Sequence, residues 1–200
     1  MQSLLSDYTY RFLALKDAWH LAYYIPEQRE DMTTLSGKLV QFKEYDLNIT
    51  KGWIRWSIDS FKEKSLKYDY IIRALGHAEL IASGKKPLDL LGHHLANNIC
   101  CTYAPFIVKK NRVTKALHFL KLDERKAEIH EAYEVADNTI DLNQKKILII
   151  DDIGTTNTTI SEIMRAIRVA WPKVQFSYFC LGRTNHTPTA NDSIPLTYFT

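Results

Sequence analysis

Ile147-Leu148-Ile149-Ile150-Asp151-Asp152-Ile153-Gly154-Thr155-Thr156-Asn157-Thr158-Thr159-Ile160 decides how the rest of the chain is read. Four apolar, largely β-branched residues in a row suit a strand buried on both faces, which is the habit of parallel sheets. Two acids follow at once. Then comes a run of small hydroxyl-bearing residues leading into a helix-patterned stretch from Thr158 to Trp171, and after it a second apolar run, Val174 to Leu181. Strand, helix, strand in that order is a βαβ unit.

Each part of the quoted stretch has chemistry to offer. A loop entering a helix N-terminus presents clustered N–H donors and the positive end of the helix dipole, so it suits phosphate, and threonine hydroxyls add donors. Adjacent carboxylates can accept hydrogen bonds from a vicinal diol or hold a hydrated magnesium ion. Phosphate and diol recognition a few residues apart describe a ribose 5-phosphate.

Further strands are expected at Tyr68 to Ile72 and Pro105 to Val108, with a helix from Pro87 to Ile99 between them. Proline suits a first helical turn. Strands alternating with helices predict a doubly wound, mainly parallel α/β sheet that binds ligands at the carboxyl ends of its strands. The loops beginning at Arg73, Lys109, Asp151 and Gly182 are then the ones that matter.

Toward the N-terminus, Leu5, Tyr8, Phe12, Leu15, Trp19 and Tyr23 recur at intervals of three and four, predicting an amphipathic helix from Leu4 to Tyr24. Lys38 to Tyr45 alternates apolar and polar residues and reads as a strand. Asn48 or Thr50 would cap a helix running through Phe61. These elements form a helical hood over 1–66, ahead of a core over 67–184 and a tail over 185–200, within one domain.

Composition narrows the setting. With 200 residues, 46% apolar and 24% charged, the chain is ordinary for a globular domain. A net charge of +3 is too small an excess to predict nucleic-acid binding. Cys100, Cys101 and Cys180 form no CxxC pair, against a thiolate zinc site or disulfide framework. No apolar run approaches a membrane span and the first residues lack a signal-peptide pattern, so a cytoplasmic protein is expected. His93-His94 would point about 100° apart on a helix, too far for a shared metal.

The quoted stretch resembles the phosphoribosyl diphosphate motif of type I phosphoribosyltransferases: four apolar residues, two acids, two variable positions, then Thr-Thr-Gly-x-Thr. Upstream, His118 to Arg125 and Glu131 to Val135 resemble the ComF-like, competence-associated branch, without its N-terminal zinc module. The resemblance implies that Asp151 and Asp152 take the ribose hydroxyls, and Mg2+ directly or through water. It further implies that Gly154, Thr155, Thr156, Asn157, Thr158 and Thr159 cradle the 5-phosphate. Asn157 stands where the family has Gly, and Thr155 where hypoxanthine-guanine members carry an acidic base.

A pyrophosphate loop is implied at Arg73, Ala74, Leu75 and Gly76. A basic lid is implied in the interval that holds Lys109, Lys110, Arg112, Lys115 and Arg125, which reads equally as a solvated loop. The function implied is transfer of ribose 5-phosphate from phosphoribosyl diphosphate to an unidentified nitrogenous acceptor, by a possible homodimer. The alternative is a non-catalytic accessory protein that binds nucleotide or single-stranded DNA.

Overall fold

The computed structural model describes residues 1–6, 10, 13–116, 120–186 and 196–199. Its main sheet has six strands. In chain order these are β1 (Gln2–Ser3), β2 (Ala18–Tyr24), β3 (Tyr70–Arg73), β4 (Thr102–Tyr103), and then β7 (Lys146–Gly154) and β8 (Gln175–Thr184). They lie side by side as β1-β2-β8-β7-β3-β4, parallel throughout except for the antiparallel β1–β2 pair. β5 (Val108–Lys110) and β6 (Tyr133–Val135) form a separate antiparallel pair.

Helices cover both faces. α1 (Leu35–Lys43), α2 (Leu47–Glu63) and α3 (Pro87–Ile99) pack on one side against Leu148, Ile150, Phe179 and Leu181. On the other side α5 (Thr158–Ala170) buries Ile160, Ile163 and Ile167 against Ile147, Ile149, Phe176 and Tyr178. Short α4 (Leu122–Ile129) leads into β6. The odd and even residues of β7 thus feed two different cores, which is why its apolar run is continuous. The fold is the doubly wound, mainly parallel α/β sheet expected from sequence.

Several expectations are corrected. The stretch from Ala18 to Tyr24 is a strand, not the end of a helix. It pairs with β8 at six positions from Ala18–Tyr178 to Tyr24–Thr184, and that pairing outweighs a three-and-four spacing that aromatic strands can show by coincidence. Within residues 1–66, β2 lies inside the core sheet. Residues 7–9 and 11–12 of the expected helix lie outside the described residues.

Lys38 to Tyr45 is not a strand but falls mostly in α1. Thr34 caps that helix by accepting from the Gly37 N–H at 3.1 Å, and Leu35, Leu39 and Phe42 line its buried face. The Pro105 to Val108 strand is also absent from the main sheet. Pro105–Ile107 is a single 3-10 turn leading into β5, and Thr102–Tyr103 takes the edge of the sheet instead. The helix expected after Asn48 or Thr50 is present, but Asp46 caps it, through the Asn48 and Ile49 N–H groups at 2.9 and 3.1 Å.

Candidate functional site

The connections fix where a ligand can sit. From β3 the chain runs through α3 to β4, outward in one direction; from β7 it runs through α5 to β8, outward in the other. Neighbouring strands whose connections diverge leave a crevice at their carboxyl ends. Here that crevice lies between Arg73 of β3 and Ile150 of β7, the last residues paired before the two strands part. β7 continues beside β8 as far as Gly154.

Asp151 and Asp152 therefore lie within β7, just beyond the point where β3 departs. Alternation sends them toward opposite faces. Asp152 reaches Lys43 at the end of α1, with Oδ2 3.5 Å from Nζ. Asp151 accepts from the Asp152 N–H at 2.9 Å and lies on the side of Tyr133, Tyr178 and Cys180. Burial, and then the neighbouring charge of Asp152, push the Asp151 carboxyl up to about 8, against the opposing pull of Lys43. Asp152, in turn, raises the Lys43 ammonium above its ordinary value.

Asp152 is ion-paired to Lys43 and Asp151 faces the other side of β7, so each would offer Mg2+ one carboxyl group, with water and phosphate oxygens completing the shell. Among the described residues no group of three or more His, Cys, Asp or Glu is placed to hold a metal, so the chain would supply only part of the shell.

Past the acids the loop tightens. Gly154 is required by close approach: a Cβ there would stand 2.8 Å from the Tyr10 hydroxyl and 2.9 Å from that of Tyr178. Asn157 holds φ 61° and ψ 12°, the left-handed conformation in which Asn is the best substitute for Gly. Its place before α5 turns the first N–H groups of that helix toward the loop. Thr156 and Thr158 share a hydroxyl–hydroxyl hydrogen bond at 2.9 Å, while Thr155 is exposed and Thr159 half-buried.

Arg183, at the end of β8, donates to the carbonyls of Gly154 and Thr155. Because a trans peptide opposes its C=O and N–H, this aims the Thr155 and Thr156 N–H groups the other way. Neither Arg183 nor Lys43 stood out in the sequence. Arg183 trails an apolar run like any strand end, and Lys43 sat in a segment whose alternation read as a strand.

In the loop after β3, Arg73 is 1% exposed and gives its guanidinium to Asp89 and Glu79, at 2.6 and 2.7 Å. The backbone is equally committed. Ala74 N–H donates to Ile150 at 2.9 Å, Leu75 N–H to the Tyr133 hydroxyl at 3.1 Å, and Gly76 N–H to Glu79 at 2.8 Å.

The basic residues of the interval expected as a lid make contacts of their own. Lys109 and Lys110 belong to β5, where Lys109 pairs with Glu134 at 3.1 Å. Lys110 is buried, donates to the Gly76 carbonyl at 2.8 Å, and is pulled down to about 8 by that burial. Arg112 donates to the Glu128 and His130 carbonyls, the Lys115 N–H to the Glu128 carboxylate, and Arg125 to the Leu120 carbonyl. Residues 117–119, in the same interval, lie outside the described residues. His93 and His94 are exposed on α3. Two surface grooves, one over Leu13, Ser161 and Arg165 and one over Lys115, Leu120 and Glu124, contain neither acid.

No protein-family model matches the chain, and no curated protein matches it. Among solved structures, an adenine phosphoribosyltransferase aligns over 65% of this chain and 69% of its own, at 18% identity and a TM-score of 0.42. The Saccharomyces cerevisiae adenine phosphoribosyltransferase gives 66%, 68%, 16% and 0.42 in the same order. A purine phosphoribosyltransferase from Pyrococcus horikoshii gives 68%, 73%, 19% and 0.39. These are remote likenesses in the path of the chain.

Proposed function

We propose that the carboxyl end of β7 is a ribose 5-phosphate site of the phosphoribosyltransferase kind. The observation that carries this is the succession, on one strand and its exit loop, of a half-buried acid pair, a tight turn through Gly154 and left-handed Asn157, and the N-terminus of α5. The acids would take the ribose hydroxyls, with Mg2+ at Asp151 and Asp152 directly or through water. Residues from Thr155 to Thr159 would take the phosphate. Phosphoribosyl diphosphate and a nucleoside monophosphate both contain this group, so either could occupy the site.

Transfer to a nitrogenous acceptor, with release of pyrophosphate, is the enzymatic form of this reading. The committed loop after β3 favours a second form, a ComF-like accessory protein that binds a nucleotide and turns over little. Calorimetric titration of ribose 5-phosphate in Mg2+ tests the shared core. We expect binding by the wild-type chain and at least a hundredfold loss in the Asp151→Asn, Asp152→Asn double variant, whose circular dichroism should be unchanged. Equal affinity of the two proteins would remove the proposal.

A further inference from the structure

Each acid at the end of β7 gives one oxygen to the backbone beside it. Asp151 Oδ1 accepts from the Asp152 N–H at 2.9 Å, and Asp152 Oδ1 accepts from the Ile153 N–H at 2.6 Å. The second oxygen of Asp152, Oδ2, is the one that Lys43 Nζ approaches, at 3.5 Å. A carboxylate oxygen turned away from its own backbone is the kind of ligand that a hard divalent cation takes. At Asp152 an ammonium of the chain itself already stands against it.

The packing of α1 puts Lys43 in that place. Leu39 and Phe42 are buried, and Leu39 lies so close to β8 that a Cβ on Gly182 would stand 2.5 Å from its Cδ1. Gly182 pairs with Ile153 of β7 and Ala22 of β2, so this contact seats α1 over the carboxyl ends of the central strands. Lys43 is the last residue of α1, where the negative end of the helix dipole favours a cation. Alternation along β7 turns Asp152 to the same face as Leu148 and Ile150, which is the face α1 covers. The Lys43 side chain keeps 48% of its surface exposed and that of Asp152 23%, so a dissolved cation or a sugar hydroxyl can reach the pair. An exposed ion pair adds little to stability, which leaves its effect on what binds as the measurable one.

We infer that Lys43 sets the cation demand of the site: its ammonium is the counter-ion of Asp152, so the acid pair binds a divalent cation weakly and takes a ribose 5-phosphate with little dependence on Mg2+. The inference rests on the ribose 5-phosphate reading of the β7 loop. A divalent cation at Asp152 Oδ2 must displace the ammonium or accept a like charge close by, and either weakens it. A sugar hydroxyl meets no such opposition, because a carboxylate paired with an ammonium still accepts a hydrogen bond. The ammonium also offsets the Asp152 charge toward the 5-phosphate.

Calorimetric titrations of Mg2+ alone, and of ribose 5-phosphate in Mg2+ or in EDTA, against the wild type, Lys43→Met and Lys43→Arg test this. Lys43→Met keeps an unbranched apolar stem and loses the charge; it should bind Mg2+ about tenfold more tightly than the wild type, while Lys43→Arg binds it as weakly as the wild type does. Ribose 5-phosphate affinity of the wild type should differ by less than about threefold between Mg2+ and EDTA, whereas that of Lys43→Met should fall about tenfold in EDTA. Circular dichroism checks that the variants fold, and the wild-type comparison stands without them. Equal Mg2+ affinity of the wild type and Lys43→Met, or a wild type that loses as much in EDTA as Lys43→Met does, would overturn the inference. Failure of every protein to bind ribose 5-phosphate, with the Mg2+ affinities still apart, would instead remove the reading on which it rests.

Discussion

Burial, and then the neighbouring Asp152 carboxylate, push the Asp151 carboxyl up to about 8, well above the ordinary carboxylate range. Between about pH 4 and pH 8 the folded chain holds a proton that the unfolded chain has lost, so this group costs stability progressively as pH rises across that window. Asp151→Asn removes the cost. It should raise the melting temperature at pH 7.5 by about 2–4 °C for each kcal/mol relieved and leave it unchanged near pH 4, measured by calorimetry at both values. A gain at neutral pH purchased with lost ligand binding is the pattern expected of a residue kept for a site.

Asn157 is the other residue where sequence and backbone can be compared directly. A left-handed φ of 61° tolerates Gly or Asn and penalises a β-branched side chain. Asn157→Gly should unfold within about 1 kcal/mol of the wild type in urea, whereas Asn157→Val should lose about 2 kcal/mol. The departure from the family's Gly was legible in the sequence, and so was the reason the turn survives it. Arg183 was not legible, since nothing in a strand-end arginine announces which carbonyls it will reach.

Among the elements, β7 and α5 were legible because their signals are local: an unbroken apolar run, and a helical stripe of Ile160, Ile163 and Ile167. β2 was not. Its Ala18-Trp19-His20-Leu21-Ala22-Tyr23-Tyr24 run becomes a strand through pairing with β8, more than 150 residues away in sequence. α1 was hidden by accidental alternation, and its Thr34 cap was the available clue.

Caps and crossing hydrogen bonds also give the elements their measurable contributions. Asp46→Ala removes the acceptor for two N–H groups at the start of α2 and should cost about 1 kcal/mol by urea denaturation. Tyr133→Phe, which leaves the buried Leu75 N–H without its partner, should cost about 1–3 kcal/mol and raise amide exchange in the loop after β3.

For the whole molecule, the topology places the crevice before any side chain is considered. The diverging connections of β3 and β7 open the sheet at Arg73 and Ile150, and the acids follow in the next two positions of β7. The acids, glycine and threonines of the β7 loop are contiguous and so could be picked out as a group from sequence, whereas the partners of Arg73 could not, since Asp89 and Glu79 lie 16 and 6 residues beyond it and fold back to claim the guanidinium. Contiguous chemistry can be read from a string of residues; chemistry assembled by a returning loop cannot.

The central claim is that the β7 loop binds a ribose 5-phosphate, and a crystal structure of the chain soaked with ribose 5-phosphate and Mg2+ tests it most directly. Density for the phosphate among Thr155 to Thr159, with the sugar hydroxyls against Asp151 and Asp152, is the expected result. A ligand bound elsewhere, with the acid pair and the threonine loop left in solvent at saturating concentration, would contradict it.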